Sequence, residues 1–135
     1  MDTVVTPAAH GAALWSGLLL LLLLILSVLV TRQRQRHGVL LGDGDNEELA
    51  RAMRAFGNAS EYIPAGIAAL ALLAVVGARA LLVHAVGVLL LAGRLAHAWG
   101  LSTNAGISLG RSAGAIATWL AMLIAGALLL FYSVG

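Results

Sequence analysis

The sequence predicts an all-α membrane protein, a four-helix transmembrane bundle of left-handed up-down topology. Three observations predict it. Of the 135 residues, 61% are hydrophobic, and only 8 basic and 6 acidic residues accompany them. A soluble domain this small needs roughly a quarter of its residues charged to cover its surface. The apolar residues fall into four stretches, and a helix crosses the hydrocarbon core with about 20 of them. The connections are short, and nothing is left over for a soluble domain. The same composition excludes intrinsic disorder, because the chain is too apolar. The lack of cysteine excludes a disulfide framework and a thiolate metal or redox site. An isoelectric point near 9.9 raises nucleic acid as a partner. Aromatics are few, however, and the Arg residues do not form a soluble surface, so no nucleic-acid partner is expected.

The spans are expected at 11–33, 46–77, 80–100 and 110–134, in one membrane domain. Gly11 to Thr31 carries no charge and includes the run Leu18 to Leu24. A cleaved signal peptide has its basic residues before the apolar run. Here only Asp2 precedes it and the Arg residues follow, so the span is retained. Ile63 to Ala78 is too short alone, but a helical pattern leads into it. Asp45 and Glu48 have capping-box spacing, which predicts a helix from Asn46 to Gly77. Pro64 should kink it, since its missing N–H leaves the Ser60 carbonyl free. Leu81 to Trp99 forms the third span and Ser112 to Val134 the fourth. The linkers are Arg32 to Gly44, a tight turn at Gly77 to Ala80, and the Gly-, Ser- and Asn-rich Gly100 to Gly110. The Gly42 to Asn46 run is a turn and helix cap. As a calcium loop it would need a bidentate Glu where Arg54 stands.

The polar residues that begin span two are not scattered. At about 100° per residue, Arg51, Arg54, Asn58, Glu61 and Tyr62 share an arc of about 100°. Leu49, Met53, Phe56 and Ile63 lie on the other side. In a membrane helix such a stripe faces other helices or a water-filled cleft. Glu61 paired with an Arg, and Asn58 bonded across helices, would make it structural glue. The charge balance argues for a ligand instead. One Glu stands against two Arg, with Arg94 and Arg111 on the same half, and Arg binds carboxylates bidentately. Lipid phosphate is the other anion that fits. Arg111 opens span four, where a cation and a positive helix end together favour an anion such as a thiolate. It would also serve as an interface anchor. His97, on the face of Arg94, is a position to titrate or to bond substrate, although a lone interfacial histidine more often has a structural role. No histidine has ligand spacing to an acidic partner, so no metal site is expected.

The stretch Arg51-Ala-Met-Arg54-Ala-Phe-Gly-Asn58-Ala-Ser-Glu61-Tyr62-Ile-Pro64 resembles the signature of the MAPEG family, the membrane-associated proteins of eicosanoid and glutathione metabolism. The likeness is to a bacterial-type member and covers nearly the whole chain in plan. It implies a homotrimer with glutathione as co-substrate, bound between neighbouring subunits near the cytoplasmic side. Arg54, Asn58, Glu61 and Tyr62 match the family's glutathione-contacting positions, and Arg51 opens the same stretch. Arg111 matches the Arg held to stabilise the thiolate. One of Arg32, Arg34 and Arg36 matches a further basic residue. The tyrosines that some members carry at the end of span three are replaced here by a region holding His97 and Trp99.

Two functions fit these residues. The first is a membrane-bound glutathione-dependent transferase or peroxidase acting on a lipophilic electrophile that arrives through the lipid. The second is a non-catalytic lipid-binding protein or an accessory subunit of a larger membrane complex. Orientation follows from the positive charges. Arg32, Arg34, Arg36, Arg51, Arg54 and Arg111 cluster at linkers one and three, against Arg79 alone on the other side. The positive-inside rule puts those linkers in the cytoplasm and both termini outside. Reporter fusions should therefore show cytoplasmic activity at Gly44 and none at Gly135. The opposite pattern would invert the orientation.

Overall fold

A computed structural model describes residues 5–103, 106 and 108–134. Four helices follow in chain order: α1 (Pro7–His37), α2 (Glu47–Val75), α3 (Ala80–Thr103) and α4 (Leu109–Ser133). All four are long and apolar enough to cross a membrane. There is no strand among the described residues.

The helix ends follow from local chemistry. Thr6 caps α1 by accepting from the Ala9 N–H at 3.2 Å. Pro7 takes the first position, where no N–H is needed. The helix continues past Arg32 to His37, so the first linker is shorter than the expected Arg32 to Gly44. Arg and Gln are good helix formers, and basic side chains in the last turn complement the helix dipole. The charges mark the edge of the apolar run, not the end of the helix. Gly38 closes α1 at φ 66°, a left-handed conformation that glycine adopts without strain. Arg34 then donates to the carbonyls of Leu40 (3.3 Å) and Gly42 (3.0 Å), folding the linker back.

The cap of α2 is Asn46, one residue after the expected Asp45. Its side chain accepts from the Leu49 N–H at 2.9 Å. Asp45 has φ 55° and belongs to the turn. The helix runs without a break through Pro64. Ser108 caps α4, accepting from the Arg111 N–H at 3.3 Å, which sets Arg111 in the first turn. Of the expected Gly100 to Gly110 linker, the first part is helical. The Ser102 and Thr103 hydroxyls bond back to the carbonyls of Ala98 and Trp99. Residues 104, 105 and 107 of that linker lie outside the described residues.

Helices α2 and α3 form the centre: each packs against the other three, while α1 and α4 do not meet. Leu19, Ile63, Leu70, Val83 and Leu90 are buried between them. Leu20, Leu21, Leu24 and Ile25 of α1, and Leu123 and Leu130 of α4, point away from the bundle. In hydrocarbon such faces cost nothing. Association must then come from close packing and polar contacts. Helices α3 and α4 approach most closely through glycine. A Cβ at Gly93 would stand 2.9 Å from the Thr118 backbone nitrogen, and one at Gly114 would run into the His97 backbone. Gly110, Gly114 and Thr118 fall at four-residue intervals, the small-residue spacing that lets membrane helices touch.

A side chain at that contact should separate the two helices. Gly93→Val should lower stability by about 1–3 kcal/mol, as overpacking does. Gly17→Val, with nothing within 4 Å of its Cβ, should be neutral. Thermal unfolding in detergent compares the two. Equal melting temperatures would contradict the packing described.

Candidate functional site

The close approach of α3 and α4 carries a buried charge. Arg94, on α3, is 1% exposed. One terminal nitrogen donates to Asn58 Oδ1 on α2 at 2.6 Å, and the other to Thr118 Oγ1 on α4 at 3.2 Å. The Thr118 hydroxyl in turn donates to the Gly114 carbonyl at 2.8 Å, so its lone pair faces the guanidinium. The Tyr62 ring lies beneath, 5.2 Å from centroid to Arg94 Cζ, a cation–π distance. The Tyr62 hydroxyl accepts from Trp119 Nε1 at 3.1 Å. Arg94 Nε is buried with no partner. The salt bridges among the described residues are Arg36–Glu48, His37–Glu48 and Arg51–Glu47, none to Arg94. A cation thus sits in the bundle, held by neutral oxygens and a ring.

The expected stripe on α2 divides around this centre. Asn58 and Tyr62 turn inward to Arg94. Arg54 and Glu61 are exposed and have no ion pair or hydrogen bond among the described residues. With Met53, Gly57 and Asn58 they line a groove of about 140 Å³. Arg51 lies elsewhere. It pairs with Glu47 at 3.4 Å and lines a groove of about 300 Å³ with Gln33, Arg36 and Glu48. Of the three Arg residues ending α1, Arg34 holds the linker, while Arg32 and Arg36 line a groove with Gln33.

Arg111 lies in a third groove, of about 400 Å³, with His97, Ser112, Ala115, Ile116 and Trp119. Its polar end is Arg111, Ser112 and His97. Its wall is apolar and continues along α4. His97 donates from Nδ1 to the Arg111 carbonyl at 2.8 Å. Within one chain, Arg54 and Glu61 therefore line a different groove from Arg111. The Arg94 network ties the walls of the two together: Asn58 belongs to the first, Trp119 to the second, and both connect through Arg94 and Tyr62.

Arg94 and Thr118 were not among the expected site residues. Arg94 carried a signal, as the one charged residue between Ala80 and Leu109, since an ionisable residue inside a span is a functional candidate by default. Thr118 carried the small-residue spacing with Gly114. Trp119, the residue after Thr118, donates to the Tyr62 hydroxyl.

Fold and site define a small membrane bundle with a basic centre and an amphipathic groove beside it. The MAPEG family model matches residues 12–131, and the chain belongs to that family. Inner membrane protein YecN of Escherichia coli is 40% identical over 113 residues, covering 84% of this chain and 85% of that protein. The protein of the same name from a second Escherichia coli strain matches to the same extent.

The Arg94 network makes a stability prediction. Asn58→Leu removes one partner of a buried cation and should cost about 1.5–3 kcal/mol. Adding Arg94→Met should recover much of the loss, because replacing both partners by apolar groups leaves no stranded charge. Unfolding in detergent measures the cycle. Additive losses would show that the two residues do not depend on each other.

Proposed function

We propose that the chain is a membrane-bound glutathione-dependent transferase or peroxidase acting on a lipophilic electrophile. One observation carries the reading. The signature residues Arg54 and Glu61 stand at the surface of α2 without a salt bridge, and the Arg94 centre feels Glu61 only through longer-range attraction. Glutathione offers matching groups: carboxylates for Arg and an ammonium for Glu61. Membership of the MAPEG family supports a glutathione-related function.

A single chain leaves Arg54 and Arg111 in separate grooves. A homotrimer resolves this, with Arg54, Asn58 and Glu61 of one subunit facing a neighbour and glutathione bound between them. Arg111, near the N-terminus of α4, would stabilise the thiolate. The apolar wall of Ala115, Ile116 and Trp119 would receive the electrophile from the bilayer, and catalysis would be proximity plus thiolate activation. The name of the Escherichia coli relative supports an inner-membrane location. Up-down topology with both termini outside completes the proposal.

The second reading is a non-catalytic lipid-binding protein or an accessory subunit of a larger membrane complex. The observation that favours it is the inward bonding of Asn58 and Tyr62, which uses expected ligand contacts as interhelical glue.

Glutathione titration separates the two. The parent should show a thiolate absorbance on binding. Arg54→Ala should weaken binding by about 2–5 kcal/mol, the cost of losing one side of a desolvated charge pair. Arg111→Ala should keep most of the binding and raise the thiol pKa of the bound ligand. Folded variants that both bind like the parent would favour the accessory reading.

A further inference from the structure

His97 is a histidine whose two ring nitrogens have different assignments. It is 7% exposed, on α3 one turn beyond Arg94. Its Nδ1 lies 2.8 Å from the Arg111 carbonyl oxygen. A carbonyl only accepts, so Nδ1 carries the proton. In the neutral ring the lone pair is then on Nε2. Among the described residues, the hydrogen bond of His97 is the one through Nδ1, and Nε2 forms none. His97 nonetheless lines the groove of about 400 Å³ that Arg111 also lines. The bond that fixes its tautomer comes from the residue whose side chain shares that groove. A backbone carbonyl holding one imidazole nitrogen, with the other left for a ligand, is how a histidine is set to move protons.

We infer that His97 Nε2 is the proton acceptor for the thiol that reacts in this groove, and the donor that returns the proton to the product. The inference rests on the glutathione reading above. The thiol S–H bond breaks, and its proton passes to Nε2. The sulfur electron pair forms the S–C bond to the electrophile. The electron pair displaced in that step, on oxygen for an epoxide or on the α-carbon or oxygen for a conjugated carbonyl, takes the proton back from Nε2. No oxidant or reductant enters. The substrate class is therefore a lipophilic electrophile that reacts by addition, its polar end toward Arg111 and its apolar part along Ile116 and Trp119. Arg111 and His97 divide the work at the sulfur: one neutralises charge, the other moves the proton.

His97→Asn tests it. The Asn amide nitrogen takes the place of Nδ1 and keeps the bond to the Arg111 carbonyl, while nothing replaces Nε2. His97→Gln does the reverse, with an amide near Nε2 and the carbonyl bond given up. Glutathione affinity, melting temperature and the rate of adding glutathione to a lipophilic epoxide are measured on the full chain in detergent. Both variants should keep glutathione affinity within about threefold and lose about 10²–10⁴-fold in rate, the usual size of a proton-transfer contribution. A parental rate in His97→Asn overturns the inference, whatever His97→Gln does. In that case a loss in His97→Gln alone assigns His97 to holding α4. Active parent protein with an unaffected His97→Asn leaves the glutathione reading standing. A parent that binds no glutathione overturns both.

Discussion

A guanidinium buried among apolar helices has to be satisfied by whatever those helices can bring to it, and Arg94, on α3, draws on two of its neighbours. Asn58 comes from α2, Thr118 from α4, and the Tyr62 face closes one side. An unsatisfied charge at that depth would cost more than the bundle gains from most of its other contacts. The neighbouring geometry follows. Thr118 reaches Arg94 only because Gly93 and Gly114 let α3 and α4 come together. Asn58 reaches it because α2 packs against both.

That centre also decides what remains for a ligand. Asn58 and Tyr62 are partly occupied by direct contact with Arg94, whereas Arg54 and Glu61 form no hydrogen bond or salt bridge with it. The exposed pair presents one positive and one negative group on the outer face of α2, in front of a positive interior. Across the Tyr62–Trp119 bond lies the second groove, with its polar mouth and apolar wall. The two grooves share a scaffold but no volume within one chain, which is why the proposed function needs a neighbouring subunit.

Most of the fold was legible because lipid imposes simple rules. Uncharged stretches of the right length gave α1 and α4, an apolar run interrupted by Arg94 gave α3, and α2 needed the helical pattern ahead of a short apolar run. Their ends were less legible, since hydropathy reports the membrane and not the hydrogen-bond ladder. Arg34 and Arg36 look like linker by charge but are helix by propensity, and Asn46 displaced Asp45 as a cap because the turn needed a positive φ at Asp45. The stripe on α2 was legible from spacing. Its division into an inward pair, an outward pair and a separate Arg51 was not. Helical periodicity places side chains on a face, but neighbouring helices decide which are consumed. Arg94 and Thr118 form a contact between residues 24 apart in sequence, which no local pattern encodes.

The central claim is that separate grooves of one chain become one glutathione site on assembly. Native mass spectrometry of the detergent-solubilised protein with added glutathione tests it most directly. The account predicts a trimer that carries glutathione, with any dissociated monomer carrying none. A monomer or dimer as the dominant species, or a monomer that retains glutathione, would contradict it.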